Sequence, residues 1–342
     1  MKIKTEKRVQ GLEKLGLTVA FTSILAACTQ VSSEQNPSIA IDGSSTVYPI
    51  TQAIAQEFKA TKDNRVDLKV NFSGTTSGFK KFCAGQTQIN DASRPISTAE
   101  MAACKQAKIA YIELPITFDA IAVVVNPRNN WLDSITVDQL KKIWSPKAEN
   151  QITRWNQINA DWPDRPLNLF GPGEDSGTFD YFTEAVVGRA EASRTDYVRS
   201  EDDNILVQAI KQDPNALGYF GFAYYQARPN ELKALAIDSG QGPVFPSRET
   251  VEAGEYQPLS RPLFIYVNSS AVQKNPALKE FVEFYLDRSP EIVSSVGYIP
   301  LSEEGYQLTN IHFHRGKVGT VFEGKSALNL TMGELLRKQA KF

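Results

Sequence analysis

The sequence predicts an α/β fold in two lobes, and three observations carry that reading. Strand-like and helix-like segments alternate from Ile39 onward. The length, 342 residues, exceeds one domain's usual share. Two apolar runs, Ile121-Ala122-Val123-Val124-Val125-Asn126-Pro127 and Leu263-Phe264-Ile265-Tyr266-Val267-Asn268, lie far apart in the chain and read as buried strands. They are candidates for paired crossovers between lobes. Lobe 1 would then comprise 38–121 plus 268–342, and lobe 2 would comprise 122–267.

The first residues stand apart from that pattern. Lys2, Lys4, Lys7, Arg8 and Lys14 precede Leu15–Ala27, an apolar stretch too short for a comfortable membrane span, so 1–27 reads as a signal peptide. It ends in Leu25-Ala26-Ala27-Cys28, which resembles a bacterial lipoprotein cleavage site. Cys28 would become the first mature residue and carry lipid. Residues 28–37 are polar and rich in breakers, as a flexible tether is.

The elements then follow in order. Ile39–Ile41 is strand-like. In Val47–Lys59 the apolar residues Val47, Ile50, Ile54 and Phe58 recur at helical spacing. Val66–Phe72 is a strand, Phe79–Ala84 opens a helix, and Ile89–Ala92 is a short strand. Ser97–Gln106 reads as a helix with Ser97 or Thr98 as N-cap and Met101 and Ala102 inward. Thr136–Trp144, Asn204–Lys211 and Asn275–Leu286 are further helices, with Asp202 and Asp203 capping the second of them. Trp131, Trp144, Trp155 and Trp162, and the aromatics Tyr219, Phe220, Phe222, Tyr224 and Tyr225, read as packing. The alternation in His312-Phe313-His314 suggests an extended segment with both imidazoles on one face, a surface pair.

The formal net charge is −2. Loss of the signal's five basic residues and two acidic ones (Glu6 and Glu13) brings it to −5. A mildly acidic chain argues against nucleic-acid partners. No metal-ligand cluster, no cofactor motif and no Gly-x-Ser-x-Gly elbow is visible, which argues against a hydrolase. Cys83 and Cys104 remain after Cys28; export would place them in an oxidising compartment, and a disulfide is expected. It would contribute about 3 kcal/mol in the chain-entropy model.

Chemistry concentrates in three turns: Asp42-Gly43-Ser44-Ser45-Thr46, Ser73-Gly74-Thr75-Thr76-Ser77-Gly78 and Asp175-Ser176-Gly177-Thr178. Each follows a strand-like run and precedes a helix. A helix N-terminus leaves unpaired N–H groups and a partial positive charge. Gly permits close approach and Ser or Thr adds hydroxyl donors. Three such turns, if they converge, make a site for a small tetrahedral oxyanion.

These turns, with Asn90-Asp91-Ala92-Ser93-Arg94-Pro95-Ile96, Gly171–Phe182, Asn215–Gly221, Arg261–Asn268 and Gly297-Tyr298-Ile299-Pro300, resemble the phosphate-binding proteins of bacterial ABC phosphate importers, of the cyanobacterial lipoprotein type. The resemblance covers most of residues 38–301 and implies a class II periplasmic-binding-protein fold, with the ligand in the interlobe cleft. It implies a monomer that captures inorganic phosphate outside the cytoplasmic membrane for an ABC permease, held to a membrane by its lipid anchor, with no catalysis. Carried over residue by residue, Ser45, Thr46, Thr76, Ser77, Ser176, Gly177 and Thr178 would donate to the anion. Better-known members of the family place an Arg upstream of the third turn, where this chain has Pro172 and Gly173, and an Asp where it has Arg94. Arg94 is therefore expected to supply the guanidinium, with Asp91, Glu174 or Asp175 as its acidic partner. An ionised carboxylate in the site would accept the proton of hydrogen phosphate and repel sulfate. The competing readings are another oxyanion, such as sulfate or molybdate, an exported phosphatase, and a signalling role toward a membrane sensor.

Overall fold

The computed structural model describes residues 37–61, 65–326 and 328–342. The signal peptide, Cys28 and the tether up to Asn36 lie outside the described residues. The chain opens with β1 (Ser38–Gly43), α1 (Tyr48–Thr61), β2 (Asp67–Val70), α2 (Thr75–Cys83), β3 (Ile89–Ala92) and α3 (Thr98–Gln106). β1 pairs in parallel with both β2 and β3. The long β4 (Tyr111–Val125) follows, buried along its whole length. Next come β5 (Ser134–Thr136), α4 (Val137–Trp144), β6 (Asn168–Gly171), α5 (Gly177–Val187), β7 (Val198–Arg199), α6 (Asp203–Gln212), β8 (Ala216–Gly221) and α7 (Phe222–Gln226). The remainder is β9 (Lys233–Ala234), β10 (Ala236–Asp238), β11 (Pro243–Val244), α8 (Arg248–Glu252), β12 (Ser260–Asn268), α9 (Ser269–Lys274), α10 (Pro276–Ser295), β13 (Ile299–Pro300), α11 (Glu303–His314) and α12 (Met332–Lys341).

The main sheet runs β2-β1-β3-β12-β4-β8-β6-β7. β4 is its pivot. Residues Tyr111–Ala120 pair antiparallel with β12, and Ile121–Val125 pair antiparallel with β8. The expected crossover at Ile121 thus starts ten residues earlier, at Tyr111, because partners on both sides bury the whole strand. The paired crossovers of the two-lobed α/β architecture are β4 and β12.

The helices pack by the predicted faces. Ile50, Ile54 and Phe58 of α1 meet Leu278, Phe281 and Tyr285 of α10 in one apolar cluster. Trp144 and Trp155 are buried with Phe182 and Tyr219 in a second. Ser97 caps α3 with a reciprocal capping box to Glu100. Its inward residues are Met101, partly buried against the core as expected, and Cys104, whereas Ala102 is exposed. Cys104 is bonded to Cys83 of α2, 21 residues away, as expected for the pair. The His312-Phe313-His314 segment is the end of helix α11 instead of an extended run. Residues two apart on a helix point to different sides, so His312 is buried while His314 is exposed, and they form no surface pair. No described helix is long and apolar enough to cross a membrane.

Candidate anion-binding site

The three turns named from the sequence meet at one place, and their sequence explains how. The first is fixed by Ser44 N donating to Asp91 O at 2.9 Å, which presents Ser45 and Thr46 ahead of α1. The second begins α2 two residues before Ser77, so Thr75, Thr76 and Ser77 form the helix's first turn behind the N-cap Gly74. Gly74 has φ +88°, and a Cβ there would stand 2.2 Å from Asp175 O of the third turn. In that third turn Ser176 caps α5, accepting from Thr178 N at 3.1 Å.

Cross-turn contacts close the group. Thr76 N donates to Asp175 O at 3.0 Å. Thr46 Oγ1 and Thr178 Oγ1 lie 3.1 Å apart, and Thr75 Oγ1 lies 3.2 Å from Ser93 Oγ. Ser45, Thr46, Thr75, Ser93, Ser176 and Thr178 are all buried. Of the residues predicted for the site, Asp91 stands apart. It is fully buried beside Thr51, whose hydroxyl meets Tyr285 of α10, and burial pushes its carboxyl well above the usual range.

Arg94 differs from expectation in its partners. Its Nε donates to Asp180 at 2.6 Å, its Nη1 and Nη2 each donate to Glu100 at 2.8 Å, and the remaining donors reach Pro95 O at 3.1 Å and Thr76 Oγ1 at 2.8 Å. A guanidinium has five N–H groups, so Arg94 has none to spare in this form. Its partners are therefore Glu100 and Asp180, and not Asp91, Glu174 or Asp175. Glu174 pairs with Arg199, and Asp175 pairs with Lys80, both near the surface. Burial opposes the charge on Arg94, but Glu100 and Asp180 outweigh it and hold the proton more tightly than usual. Burial raises the Asp180 carboxyl to about 6 against the pull of Arg94. Its Oδ1 is buried with no hydrogen-bond partner among the described residues. A cavity of about 550 Å³ borders this cluster and counts Thr76, Arg94, Glu100 and Asp180 in its lining.

A second charged group was not assigned from the sequence. Arg261 at the head of β12 is wholly buried and donates to Asp119 Oδ2 of β4 at 3.1 Å and to Thr178 Oγ1 at 2.8 Å. Asp203 was expected to share the α6 cap with Asp202. Only Asp202 caps, accepting from Asn204 N at 2.9 Å; Asp203 is buried and lies 3.4 Å from Ser45 Oγ. Burial raises Asp119 to about 6 despite Arg261, and Asp203 to about 7 with Asp119 adding to the rise. The available signal was a charge inside an apolar strand run, as at Arg261 and Asp119, which demands a buried partner. Among the described residues no group of three or more His, Cys, Asp or Glu is arranged to hold a metal ion.

Comparison with known proteins adds to this geometry. The family model described as a PBP superfamily domain matches residues 29–289. Protein SphX from Synechocystis sp. is 60% identical over 318 residues, covering 93% of this chain and 94% of that relative. The phosphate-binding protein PstS of Staphylococcus saprophyticus is 33% identical over 267 residues, covering 78% and 81%. A possible phosphate binding protein from Planctomyces limnophilus has a solved structure with a TM-score of 0.62 at 41% identity, covering 82% of this chain and 99% of that one. A putative phosphate ABC transporter substrate-binding protein from Clostridium perfringens, solved with bound phosphate, gives 0.65 at 27% identity, covering 78% and 100%.

Proposed function

The chain belongs to the PBP superfamily, the periplasmic binding proteins, and on that premise we propose that it captures inorganic phosphate outside the cytoplasmic membrane and delivers it to an ABC permease. The observation that carries the reading is the convergence of three helix N-terminal turns, with the hydroxyls of Thr46 and Thr178 at 3.1 Å. Their hydroxyls, and those N–H groups not spent within the cluster as Thr46 N, Thr76 N and Thr178 N are, supply donors to a tetrahedral anion, and the helix dipoles favour its charge. Ser45, Thr46, Thr76, Ser77, Ser176, Gly177 and Thr178 are the donors in this reading, with Thr75 and Ser93 added from their positions in the cluster.

Selectivity follows from the carboxylates. Asp180 Oδ1 is a buried acceptor with no partner among the described residues, so it suits a ligand that brings its own proton. Hydrogen phosphate has that proton at neutral pH, and sulfate does not. Arg94 holds Asp180 in place and offsets its charge, while Asp91 contributes to the core. The lobes, 38–121 with 268–342 and 122–267, close on the anion by rotation at the β4–β12 pair. Cys28 carries the lipid that tethers the protein to a membrane, and the monomer is the working form.

Isothermal titration of the chain from residue 29, stripped of anion, tests the reading. Tight phosphate binding without a sulfate response is the expected result at pH 7–9, where Asp180 is ionised, with the discrimination weakening as pH falls through about 6. Silence toward phosphate, or an equal response to sulfate, would move the assignment to another oxyanion.

A further inference from the structure

We propose that Arg261 is the positioning residue of this anion site. It ties the turn at the start of α5 and the Ser93 loop after β3 to the strand pair that joins the lobes, and it sets the direction in which the Thr178 hydroxyl donates. The inference rests on the receptor reading above and extends it to a residue outside the three turns.

Arg261 is the second residue of β12 and stands opposite Asp119 of β4 in the antiparallel register. Its side chain is fully shielded from solvent. An interior guanidinium is tolerated where most of its donors are spent on acceptors, so the choice of acceptors is informative. Nη1 donates to Ser93 O at 3.0 Å and to Gly177 O at 3.3 Å. Nη2 donates to Asp119 Oδ2 at 3.1 Å and to Thr178 Oγ1 at 2.8 Å. Ser93 follows the end of β3, whereas Gly177 and Thr178 open α5. One side chain therefore bonds loops from both sides of the cleft, and these bonds coexist only while the loops are together.

The bond to Thr178 also has a chemical consequence. A hydroxyl has one proton and two lone pairs. Because Thr178 Oγ1 accepts from Arg261, its proton is directed elsewhere, and Thr46 Oγ1 is the neighbour at 3.1 Å. An oxyanion seated between those two turns would receive that proton. Arg261 thus acts on the anion through Thr178 and through the placement of the Gly177 and Ser93 backbone. Arg94, with all five donors engaged by Glu100, Asp180, Pro95 and Thr76, has no comparable freedom. Arg261 Nε, in contrast, is buried without a partner among the described residues.

The test measures phosphate affinity and dissociation rate for the parent chain from residue 29 and for two arginine variants. Arg261→Lys keeps the charge beside Asp119 but cannot span four acceptors. Arg261→Met combined with Asp119→Asn removes both charges together, so that neither is left buried alone. Both are expected to fold, as read by circular dichroism, and to bind phosphate at least tenfold more weakly, mainly through faster dissociation. Thr178→Val should weaken the parent by a similar factor yet change Arg261→Lys by less than threefold, which a purely structural role for Arg261 would not produce. Affinity within threefold of the parent in either folded variant would overturn the inference. So would independent, multiplying effects of Arg261→Lys and Thr178→Val, or failure of both arginine variants to fold, which would assign Arg261 to the core alone. A parent chain that binds no phosphate would instead remove the receptor reading on which the inference rests.

Discussion

Gly177 faces Ser93 so closely that a Cβ at position 177 would lie 2.6 Å from Ser93 Oγ, and equally close to Thr75 Oγ1. The contact joins the first turn of α5 to the loops after β3 and β2, so the glycine is what allows those loops to meet. Gly177→Ala is expected to oppose closure and to weaken phosphate binding by about 1–3 kcal/mol, the usual cost of overpacking. Titration calorimetry reads the effect, and an unchanged affinity would show that closure does not need the glycine.

Removal of Arg94 bears on stability as well as binding. Arg94→Ala leaves Glu100 and Asp180 buried without their counter-charge, since the three side chains are 8%, 11% and 6% exposed. Breaking such a group costs about 3–5 kcal/mol. Urea denaturation should show that loss, and phosphate affinity should fall with it. A variant as stable as the parent would mean that Glu100 and Asp180 have other partners.

Asp180→Asn tests the acceptor assigned to the ligand's proton. An amide can donate to an unprotonated oxygen where a carboxylate repels it. Sulfate binding is expected to strengthen about tenfold relative to phosphate, within the 1–3 kcal/mol attached to an unpaired buried polar group. Competition titration measures the ratio, and an unaltered ratio would place the discrimination on another carboxylate.

The buried carboxylates also predict a pH dependence. Burial raises Asp119 and Asp180 to about 6, and Glu113 and Asp203 to about 7. In the unfolded chain such groups titrate near 4. Between those values the folded protein holds protons that the unfolded chain has released, so stability from these groups is fully present below about 4 and lost as pH rises through about 7. The anion-free chain should melt at a higher temperature at pH 5.5 than at pH 7.5. Asp203→Asn should flatten the difference, and a melting temperature that rises with pH over this interval would refute the argument.

The Cys83–Cys104 bond ties α2, which bears Thr75, Thr76 and Ser77, to α3, which bears Glu100. Its closed loop is worth about 3 kcal/mol in the chain-entropy model. Serine at both positions, or a reductant on the parent, should lower the melting temperature by a corresponding amount. Equal melting curves with and without reductant would count against it.

The three converging turns could be read from sequence because each is local: a strand, a Gly or Ser/Thr turn, then a helical period. The cap at Ser97, the α1 and α10 faces and the pairing of Cys83 with Cys104 were legible for similar reasons. The misreadings share a cause. His312-Phe313-His314 alternates like a strand but is the last turn of a helix, because α11 supplies hydrogen bonds that three residues do not reveal. Asp203 looks like a cap until Ser45, 158 residues earlier, is placed beside it. Arg94 was matched to Asp91, Glu174 or Asp175, whereas its partners are Glu100, six residues on, and Asp180, 86 residues away.

By itself, then, the sequence determined the alternating α/β elements and the three Gly/Ser/Thr turns that open helices after strands, since both depend on short-range periodicity and on which residue types can cap a helix. Only the tertiary structure decided which charges face one another. Asp180 joins Arg94 from 86 residues away, and Arg261 bridges Asp119, Ser93 and the start of α5. Those pairings arise where a buried charge has to find a partner after the sheet has assembled, and no spacing along the chain encodes the distance between strands that meet only in the fold.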